Sequence, residues 1–391
     1  MKNHWKRIFS MAWPLIVANS FWTLQMTIDR VFLGAYSIEA LGAAMAVMGV
    51  FWTPMALLQQ TSAYVTTFVA QYLGSENRDN IGVALWQGIY FSVIGGVAFL
   101  FLNFFSEDFF SLVGHEAKVK ELEVLYYNSI AFSALPTALV AAFSGFFTGL
   151  GRTRVVMEIN GVGLALNVLF DYLFIFGNLG FPALGIEGAG YATAIAGVGS
   201  AVYGAIKVFS ARHESDFKVL SRWQWNADIM KRFIKYGLPS GLQWALEGMA
   251  FTVFLIFIGR FPNGAAALAA SSIAVTVMML SVLPSMGVAQ SVMALVGQHI
   301  GEGRPQDAVR DTYIGVQMSA LYIFIAGLSF VVFPQFYIMW FENNQNQMLW
   351  AQVSEIASIL LILLQHLLYL TVSILTFHLH LRELATHVLF L

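Results

Sequence analysis

The chain is dominated by apolar stretches long enough to cross a lipid bilayer. A membrane-spanning helix needs about 20 predominantly apolar residues. Nine such stretches lie at 10–34, 44–70, 82–104, 126–148, 157–178, 187–209, 234–259, 272–296 and 313–339, and a tenth begins near Gln352. They stay apolar over whole spans and do not alternate as the strands of a membrane barrel do. The sequence therefore predicts an all-α polytopic membrane protein, because helices satisfy their own backbone hydrogen bonds in lipid.

Composition excludes several classes of protein. The chain is 58% hydrophobic and 11% charged, whereas soluble domains carry about 25% charged residues. This argues against a soluble enzyme or a nucleic-acid binder. No G-x-x-x-x-G-K-[ST] phosphate loop and no H-E-x-x-H or G-x-S-x-G motif occurs, which argues against ATP-driven transport and against an intramembrane enzyme. The absence of cysteine removes disulfides and thiolate chemistry.

Positive charge is distributed unevenly over the predicted loops. With the N-terminus in the cytoplasm, 16 of the 20 Lys and Arg residues are cytoplasmic, and the four exceptions are Arg30, Lys118, Lys120 and Arg260. Cells retain Lys and Arg on the cytoplasmic side of membrane proteins. We therefore expect a multi-pass protein of the cell inner membrane with a cytoplasmic N-terminus.

Two parts of the chain repeat one another. Arg232–Pro239 restates Arg7–Pro14, and Val69-Ala-Gln-Tyr-Leu-Gly74 matches Val296-Gly-Gln-His-Ile-Gly301. Parallel repeats of this kind are typical of secondary transporters, in which the substrate binds between two lobes. We predict two parallel six-helix repeats, the second incomplete, with an N-lobe at 1–210, a cytoplasmic linker at 211–232 and an incomplete C-lobe at 233–391.

Ionisable side chains are rare inside the predicted spans, and each is a candidate functional group because its burial in lipid is costly. Asp29, Asp171 and Glu247 lie in the first, fifth and seventh spans. Asn167 precedes Asp171 by one helical turn on the same face, where their oxygens could hold a proton or a hard cation such as Na⁺. Two structural alternatives stay open: an ion pair between Asp29 and Arg30, and an Asn167–Asp171 hydrogen bond that merely joins helices.

A polar run interrupts the second span at Gln59, Gln60 and Thr61. These side chains could line a substrate cavity or make hydrogen bonds between helices, and the sequence favours neither. The chain also carries 34 Phe, 16 Met, 14 Tyr and 10 Trp. Such soft, aromatic surroundings suit flat lipophilic ligands, including cations, through packing and cation–π contacts.

Several motifs together resemble the multidrug and toxic compound extrusion (MATE) family. The fourth-to-sixth-helix pattern of that family is similar to Gly149-Leu-Gly-Arg-Thr-Arg154, Asn160, Asn167-Val-Leu-Phe-Asp171 and Leu184-Gly-Ile-Glu-Gly188. Its first helix is similar to the segment that holds Pro14, Thr27-Ile-Asp29 and Gly34. The Gln71 and Gln298 helix ends match as well, and the resemblance covers about residues 8–363.

The resemblance implies cation-coupled antiport by alternating access of two six-helix lobes. It implies that Asp29, Asn167, Asp171 and Thr193 form the N-lobe cation site, and that Glu247 is the acidic residue of the seventh helix. Na⁺ and H⁺ both stay open as the coupling ion. We expect no other metal or cofactor, no nucleic-acid partner, and a monomer that exports small lipophilic or cationic compounds across the lipid bilayer. A related lipid-linked-oligosaccharide flippase would need several Arg or Lys residues lining its cleft, whereas the mid-span charges here are acidic.

The end of the chain departs from the family pattern. Leu360–Leu391 contains 13 Leu, no Gly and four of the eight His residues. When the codons of Leu381–Leu389 are read in a frame shifted by two nucleotides, they are compatible with Lys-Gly-Ala-Gly-Asp-Thr-Arg-Phe, the family's form of the Gly149–Arg154 motif. We therefore predict a frameshifted or mis-sequenced gene, with the frame lost between about Ile359 and Leu370. The alternative is a native Leu-rich tail. Either way, a chain lacking part of its C-lobe could be a non-transporting remnant.

Overall fold

The fold is helical throughout the described part of the chain, as the sequence predicts. The computed structural model describes residues 2–113, 115–259, 264–339 and 350–366. Its helices are α1 (Lys2–Tyr36), α2 (Ile38–Ala63), α3 (Val65–Gly74), α4 (Asp79–Leu100), α5 (Ser106–Val113), α6 (Ala117–Ile130), α7 (Ala134–Gly149), α8 (Thr153–Phe176), α9 (Gly185–Val208), α10 (Ala211–Phe217), α11 (Ala227–Gly259), α12 (Gly264–Gly301), α13 (Pro305–Val332), α14 (Pro334–Ile338) and α15 (350–366).

Each predicted apolar span lies largely within one helix or within consecutive helices that are separated by only a residue or a short turn. Tyr64 separates α2 from α3, and short 3₁₀ turns at Phe101–Phe105 and Ala131–Ser133 join α4 to α5 and α6 to α7. Within the described residues, seven helices are long and apolar enough to cross a membrane. They are Glu39–Gly74, Asp79–Leu112, Ala117–Gly149, Thr153–Phe176, Gly185–Val208, Ile273–Gly301 and Pro305–Val332. The first and seventh predicted spans, in α1 and α11, are helical but not among the seven, and both contain polar and charged side chains.

The chain divides into two compact units. One comprises 17–250 and 293–305, and the other comprises 1–16, 251–292 and 306–391. This division follows packing rather than chain order, since α1, α11 and α12 each contribute to both units. The predicted lobe boundaries at 210 and 233 remain a prediction.

In the unit formed by 17–250 and 293–305, small residues allow helices to pack closely. A Cβ on Gly188 of α9 would lie 2.7 Å from the backbone of Phe174, and a Cβ on Gly163 of α8 would lie 2.6 Å from Ser200 Oγ. Small residues bring membrane helices into such contact, where they gain dispersion energy. The α8–α9 pair is therefore a rigid support for the polar residues of α8. Its connecting turn begins at Gly177, which ends α8 in the left-handed conformation at φ 71°.

In the unit formed by 1–16, 251–292 and 306–391, an apolar core joins α12, α13, α14 and α15. Its buried members are Ala270, Ile273, Val277, Phe330, Ile338, Val353, Ala357 and Leu361. Near the start of α13, the fully buried carboxylate of Asp311 lies 2.5 Å from His4 Nδ1 of α1. This contact places the start of the chain beside α13.

Candidate functional site

Two acidic side chains from distant parts of the sequence meet at Asn167. With its amide nitrogen facing the carboxylates, Asn167 donates to Asp29 Oδ1 at 2.7 Å and to Asp171 Oδ2 at 3.1 Å. Asn167 and Asp171 are fully buried. The structure therefore brings together three of the predicted cation-coupling residues. The predicted alternative for Asp29 was a pair with Arg30, and its hydrogen-bond partner here is Asn167 instead.

Thr193 of α9 lies beside this pair of carboxylates. Its hydroxyl donates to the Ala189 carbonyl at 3.1 Å, and its Oγ1 is 3.4 Å from the side-chain amide of Asn167. The amide oxygen of Asn167 and the hydroxyl oxygen of Thr193 thus face each other next to the acidic groups. We call Asp29, Asn167, Asp171 and Thr193 the carboxylate cluster.

The carboxylate cluster has fewer hydrogen-bond donors than its oxygens require. Asp171 Oδ1 is buried and has no hydrogen-bond partner. Two neighbouring carboxylates repel one another when both are ionised, and the low dielectric inside a protein strengthens that repulsion. A proton or a small cation would satisfy the unpartnered oxygen and offset the repulsion. Carboxylate oxygens are ligands that suit Na⁺, a hard cation, as well as they suit a proton. Within the described residues, no group of three or more His, Cys, Asp or Glu forms a multi-carboxylate metal centre.

A cavity of about 90 Å³ opens beside the carboxylate cluster. It has room for about three water molecules at roughly 30 Å³ each. That space suits a partly hydrated cation and is too small for a drug-sized molecule. The lining residues are Gln25, Met26, Asp29, Arg30, Leu33, Ala44, Met45, Met48, Phe51, Trp52, Met55, Gln59, Tyr126, Ile130, Ser133, Thr137 and Thr193.

A second cavity of about 90 Å³ shares Gln25, Gln59, Thr137 and Thr193 with the first. Its other lining residues are Val140, Asn160, Gly163, Ala196, Gly197 and Ser200. Among them, Asn160 and Ser200 have neutral polar side chains, which together with the four shared residues extend the polar surface away from the carboxylates. A chain of polar groups between helices is what a path for water or ions requires.

The structure separates the three residues predicted to line a substrate cavity. Gln59 lines both cavities, whereas Gln60 lines neither. Thr61 is fully buried, and its hydroxyl donates to the Leu57 carbonyl at 2.7 Å. A Cβ on Gly241 would lie 2.5 Å from Thr61 Oγ1, so Thr61 packs against α11. The sequence left open whether these side chains line a cavity or make contacts between helices. In the structure Gln59 lines a cavity, and Thr61 makes a contact between helices.

Glu247 is not among the residues that line either cavity. Its exposed side chain accepts a hydrogen bond from Gln243 Nε2 at 3.0 Å, one helical turn earlier on α11. The adjacent Gly248 packs near Trp52, which lines the first cavity. The role of Glu247 as the acidic residue of the seventh helix stays a prediction.

Sequence reasoning missed several residues of the first cavity. Gln25 precedes Asp29 by four residues on α1, so its shared face with Asp29 was available from helical spacing. Tyr126 and Thr137 reach the cavity from α6 and α7, which are distant in sequence. Nothing in their local sequence indicates this position.

The repeated Gln-x-x-Gly helix ends meet each other. A Cβ on Gly74 would lie 1.9 Å from the Gln298 carbonyl oxygen, and a Cβ on Gly301 would lie 2.2 Å from the Gln71 carbonyl oxygen. The contact is reciprocal, as expected for two segments related by a pseudo-two-fold axis. Gln298 Nε2 also donates to the Gly149 carbonyl at 2.9 Å. We call the contact of Gln71–Gly74 with Gln298–Gly301 the glycine contact.

Comparison with known proteins places this polytopic helical membrane protein in a family. The MatE family profile matches residues 14–173 and 239–377, which is most of the chain, and the chain belongs to that family. The match continues past residue 363, where the resemblance seen in the sequence ends. The predicted loss of reading frame concerns a tail of which residues 367–391 lie outside the described residues.

Two curated relatives share the same name. "Probable multidrug resistance protein NorM" of Thermotoga maritima is 28% identical over 351 residues, covering 87% of this chain and 72% of that protein. A protein of the same name from Halalkalibacterium halodurans is 27% identical over 289 residues, covering 73% of this chain and 63% of that protein.

Solved structures have the same fold. A MATE protein in its straight conformation matches with a TM-score of 0.83 at 21% identity, covering 94% of this chain and 80% of that chain. An outward-facing multidrug resistance MATE family transporter of the MOP superfamily matches with a TM-score of 0.80 at 21% identity, covering 95% and 82%. At these identities the likeness shows the fold alone.

Proposed function

We propose that this chain is an antiporter that exports lipophilic, often cationic compounds in exchange for Na⁺ or H⁺. The observation that carries the proposal is the bridging of Asp29 and Asp171 by Asn167, with Asp171 Oδ1 buried and unpartnered. A static helix contact would not need a second carboxylate. Two carboxylates that share one amide donor form a site whose energy depends on whether a cation is bound.

Coupling follows from differential affinity. With a cation bound, the unpartnered oxygen is satisfied and α1 can stay packed against α8 at Asn167. When the cation leaves, repulsion between Asp29 and Asp171 favours an arrangement in which they are farther apart or more hydrated. A substrate that binds better to that second arrangement is then exchanged for the cation, because each ligand shifts the same equilibrium in the opposite direction.

The glycine contact supports alternating access. It joins the two copies of one motif by close backbone packing at the end of the spans that we propose is cytoplasmic. Substrate entry from that side requires these helix ends to separate. Pro14, Pro54, Pro239 and Pro284 lie inside helices, where a missing backbone donor permits bending.

The substrate class follows from the residues around the first cavity. A polarisable surface of two aromatic and two methionine side chains lies next to Asp29. It is formed by Phe51, Trp52, Met48 and Met55. Such a surface binds flat lipophilic cations through dispersion and cation–π contacts, and tolerates several shapes because Met side chains adapt. Since the cavity is small, we propose that substrate binding requires it to widen. The multidrug resistance names of the relatives agree with this class.

We also propose a monomer in the cell inner membrane with a cytoplasmic N-terminus, on the uneven distribution of Lys and Arg. Two rivals remain. A flippase for lipid-linked oligosaccharides would need several cations around its phosphate, whereas among the described residues Arg30, next to Asp29, is the only Lys or Arg that lines the first cavity. A non-transporting remnant would retain the fold without activity.

Export from membrane vesicles tests the proposal. Inverted vesicles containing the chain should accumulate a fluorescent cationic dye when a Na⁺ or a proton gradient is imposed, and the effective gradient identifies the coupling ion. Asp171→Asn should abolish accumulation at unchanged protein level. The matched control is Asp108→Asn, because Asp108 is exposed on α5 and outside the cluster.

Two results would contradict the proposal. Accumulation that is unchanged in Asp171→Asn would remove Asp171 from coupling. The absence of gradient-driven accumulation by the unaltered chain, in vesicles shown to contain it, would favour the remnant.

A further inference from the structure

The segment that connects α10 to α11 is bound along α4 through its backbone. Trp86 Nε1 donates to the Val219 carbonyl at 2.7 Å, and the Tyr90 hydroxyl donates to the Trp223 carbonyl. Gln87 contacts the same segment, accepting from the Asn226 backbone N–H at 3.3 Å. Side chains of α4 thus satisfy backbone groups that would otherwise need water. The segment therefore has a fixed conformation.

The fixed segment presents apolar side chains outward. Leu220, Trp223 and Trp225 are 50%, 58% and 53% exposed. The Trp225 ring lies 5.6 Å from the Tyr90 ring, which in turn lies 5.6 Å from the Trp86 ring. Indole rings of this kind are enriched at the boundary between lipid and water, because they combine an apolar body with a polar N–H group.

Positive charge adjoins these indoles. Lys218 Nζ lies 2.9 Å and Arg222 Nη2 lies 3.3 Å from the same atom, Asp79 Oδ2. Glu214, which accepts from the Leu220 backbone N–H, and Asp79 together offset these two charges locally. The linker from 207 to 235 still carries seven Lys or Arg residues against three Asp or Glu residues, so its net charge is positive. The Lys218 and Arg222 side chains are about half exposed, and each retains N–H donors that Asp79 does not use, since an ammonium has three and a guanidinium has five.

We propose that Lys218, Leu220, Arg222, Trp223 and Trp225, the linker surface, bind the phosphate headgroups of anionic phospholipids. Lys218 and Arg222 contact the phosphate, while Leu220 and the two indoles lie at the boundary with the acyl chains. This segment follows α10 and lies beside the first turns of α4, at the end of that span which we predict to be cytoplasmic. Basic residues next to membrane helices recognise anionic lipids in this way. The proposal does not depend on transport.

Lipid competition on the purified full chain tests the proposal. The chain is titrated with mixed micelles of phosphatidylglycerol and phosphatidylcholine. Native mass spectrometry then measures how strongly the protein prefers one lipid over the other as its most tightly bound lipid. Each Lys or Arg near an anionic surface contributes about 1 kcal/mol. Replacing both cations, by Lys218→Asn and Arg222→Gln, should therefore lower the preference for phosphatidylglycerol roughly 30-fold. Asn is chosen because Lys218 has a left-handed φ of 53°, which Asn tolerates.

The matched control carries Lys118→Gln and Lys120→Gln. These changes remove two positive charges at the start of α6, on the side of the membrane that we predict to be opposite the linker surface. The control variant should keep the preference for phosphatidylglycerol. A second measurement follows quenching of tryptophan fluorescence by brominated phosphatidylglycerol, which should fall in the Trp223→Phe, Trp225→Phe double variant.

An equal preference for both lipids in the unaltered chain, or an equal loss in the Lys118 and Lys120 variant, would overturn the proposal. So would displacement of the lipid by inorganic phosphate alone, since the ligand would then be a free anion. If the Lys218 and Arg222 variant does not fold, the quenching experiment decides, and unchanged quenching overturns the proposal.

Discussion

Adding one methyl group to Gly74 should open the glycine contact. In Gly74→Ala the new Cβ would lie 1.9 Å from the Gln298 carbonyl oxygen, whereas carbon and oxygen in contact are separated by about 3.3–3.6 Å. The two helix ends must therefore move apart by about 1.5 Å, because backbone atoms cannot rotate away as a flexible side chain can. Overpacking of this kind costs about 1–3 kcal/mol. The equilibrium should shift toward the separated arrangement by a factor of about 5 to 150.

Pulsed electron paramagnetic resonance can measure this shift, because the chain has no native cysteine. Spin labels at Asn77→Cys and Arg304→Cys, in the loops that follow the two Gln-x-x-Gly motifs, report the distance between the helix ends. The Gly74→Ala chain should gain a population at longer distance. Gly42→Ala is the control, since no atom lies within 4 Å of a Cβ at that position. An identical distance distribution in all three chains would refute the assignment of the glycine contact as the closed end.

Three further predictions concern separate parts of the chain. Asn167→Leu removes the donor that bridges Asp29 and Asp171, so export should fall as far as in Asp171→Asn; vesicle accumulation measures it, and normal export would exclude a bridging role. Gly188→Ala should lower the free energy of unfolding by about 1–3 kcal/mol, because its Cβ would lie 2.7 Å from the Phe174 backbone; denaturant titration against Gly42→Ala checks this. Burial lowers the pKa of His213, in α10, below 6.5. Protonation then favours the unfolded chain, so stability is present above about pH 6.5 and is lost as pH falls toward the folded-state pKa. Thermal unfolding should show a smaller pH dependence in His213→Gln, and an identical dependence would contradict this role.

The helical architecture was predictable because the lipid environment imposes it on the sequence. An uninterrupted apolar span can satisfy its backbone in lipid only as a helix, so spans such as 157–178 and 187–209 coincide with α8 and α9. The shared face of Asn167 and Asp171 follows from helical spacing alone. Local periodicity was sufficient for both conclusions.

Long-range packing was not predictable in the same way. The partner of Asp29 is Asn167, a contact between α1 and α8 that no local pattern encodes. Thr61 looks equivalent to Gln59 in sequence, yet the two point to α11 and to the cavities respectively. The linker between the repeats looks like a polar connection in sequence, whereas Trp86 and Tyr90 bind its backbone along α4.

The most direct test of the central claim is the affinity of the purified chain for a fluorescent cationic dye, measured as Na⁺ and pH are varied. If the carboxylate cluster holds the coupling cation, one of these ions must weaken dye binding, and the dye must weaken that ion's binding by the same factor. We expect this dependence in the unaltered chain and in Asp108→Asn, and its loss in Asp171→Asn. Dye binding that responds to neither ion, or that keeps its full response in Asp171→Asn, would contradict the account.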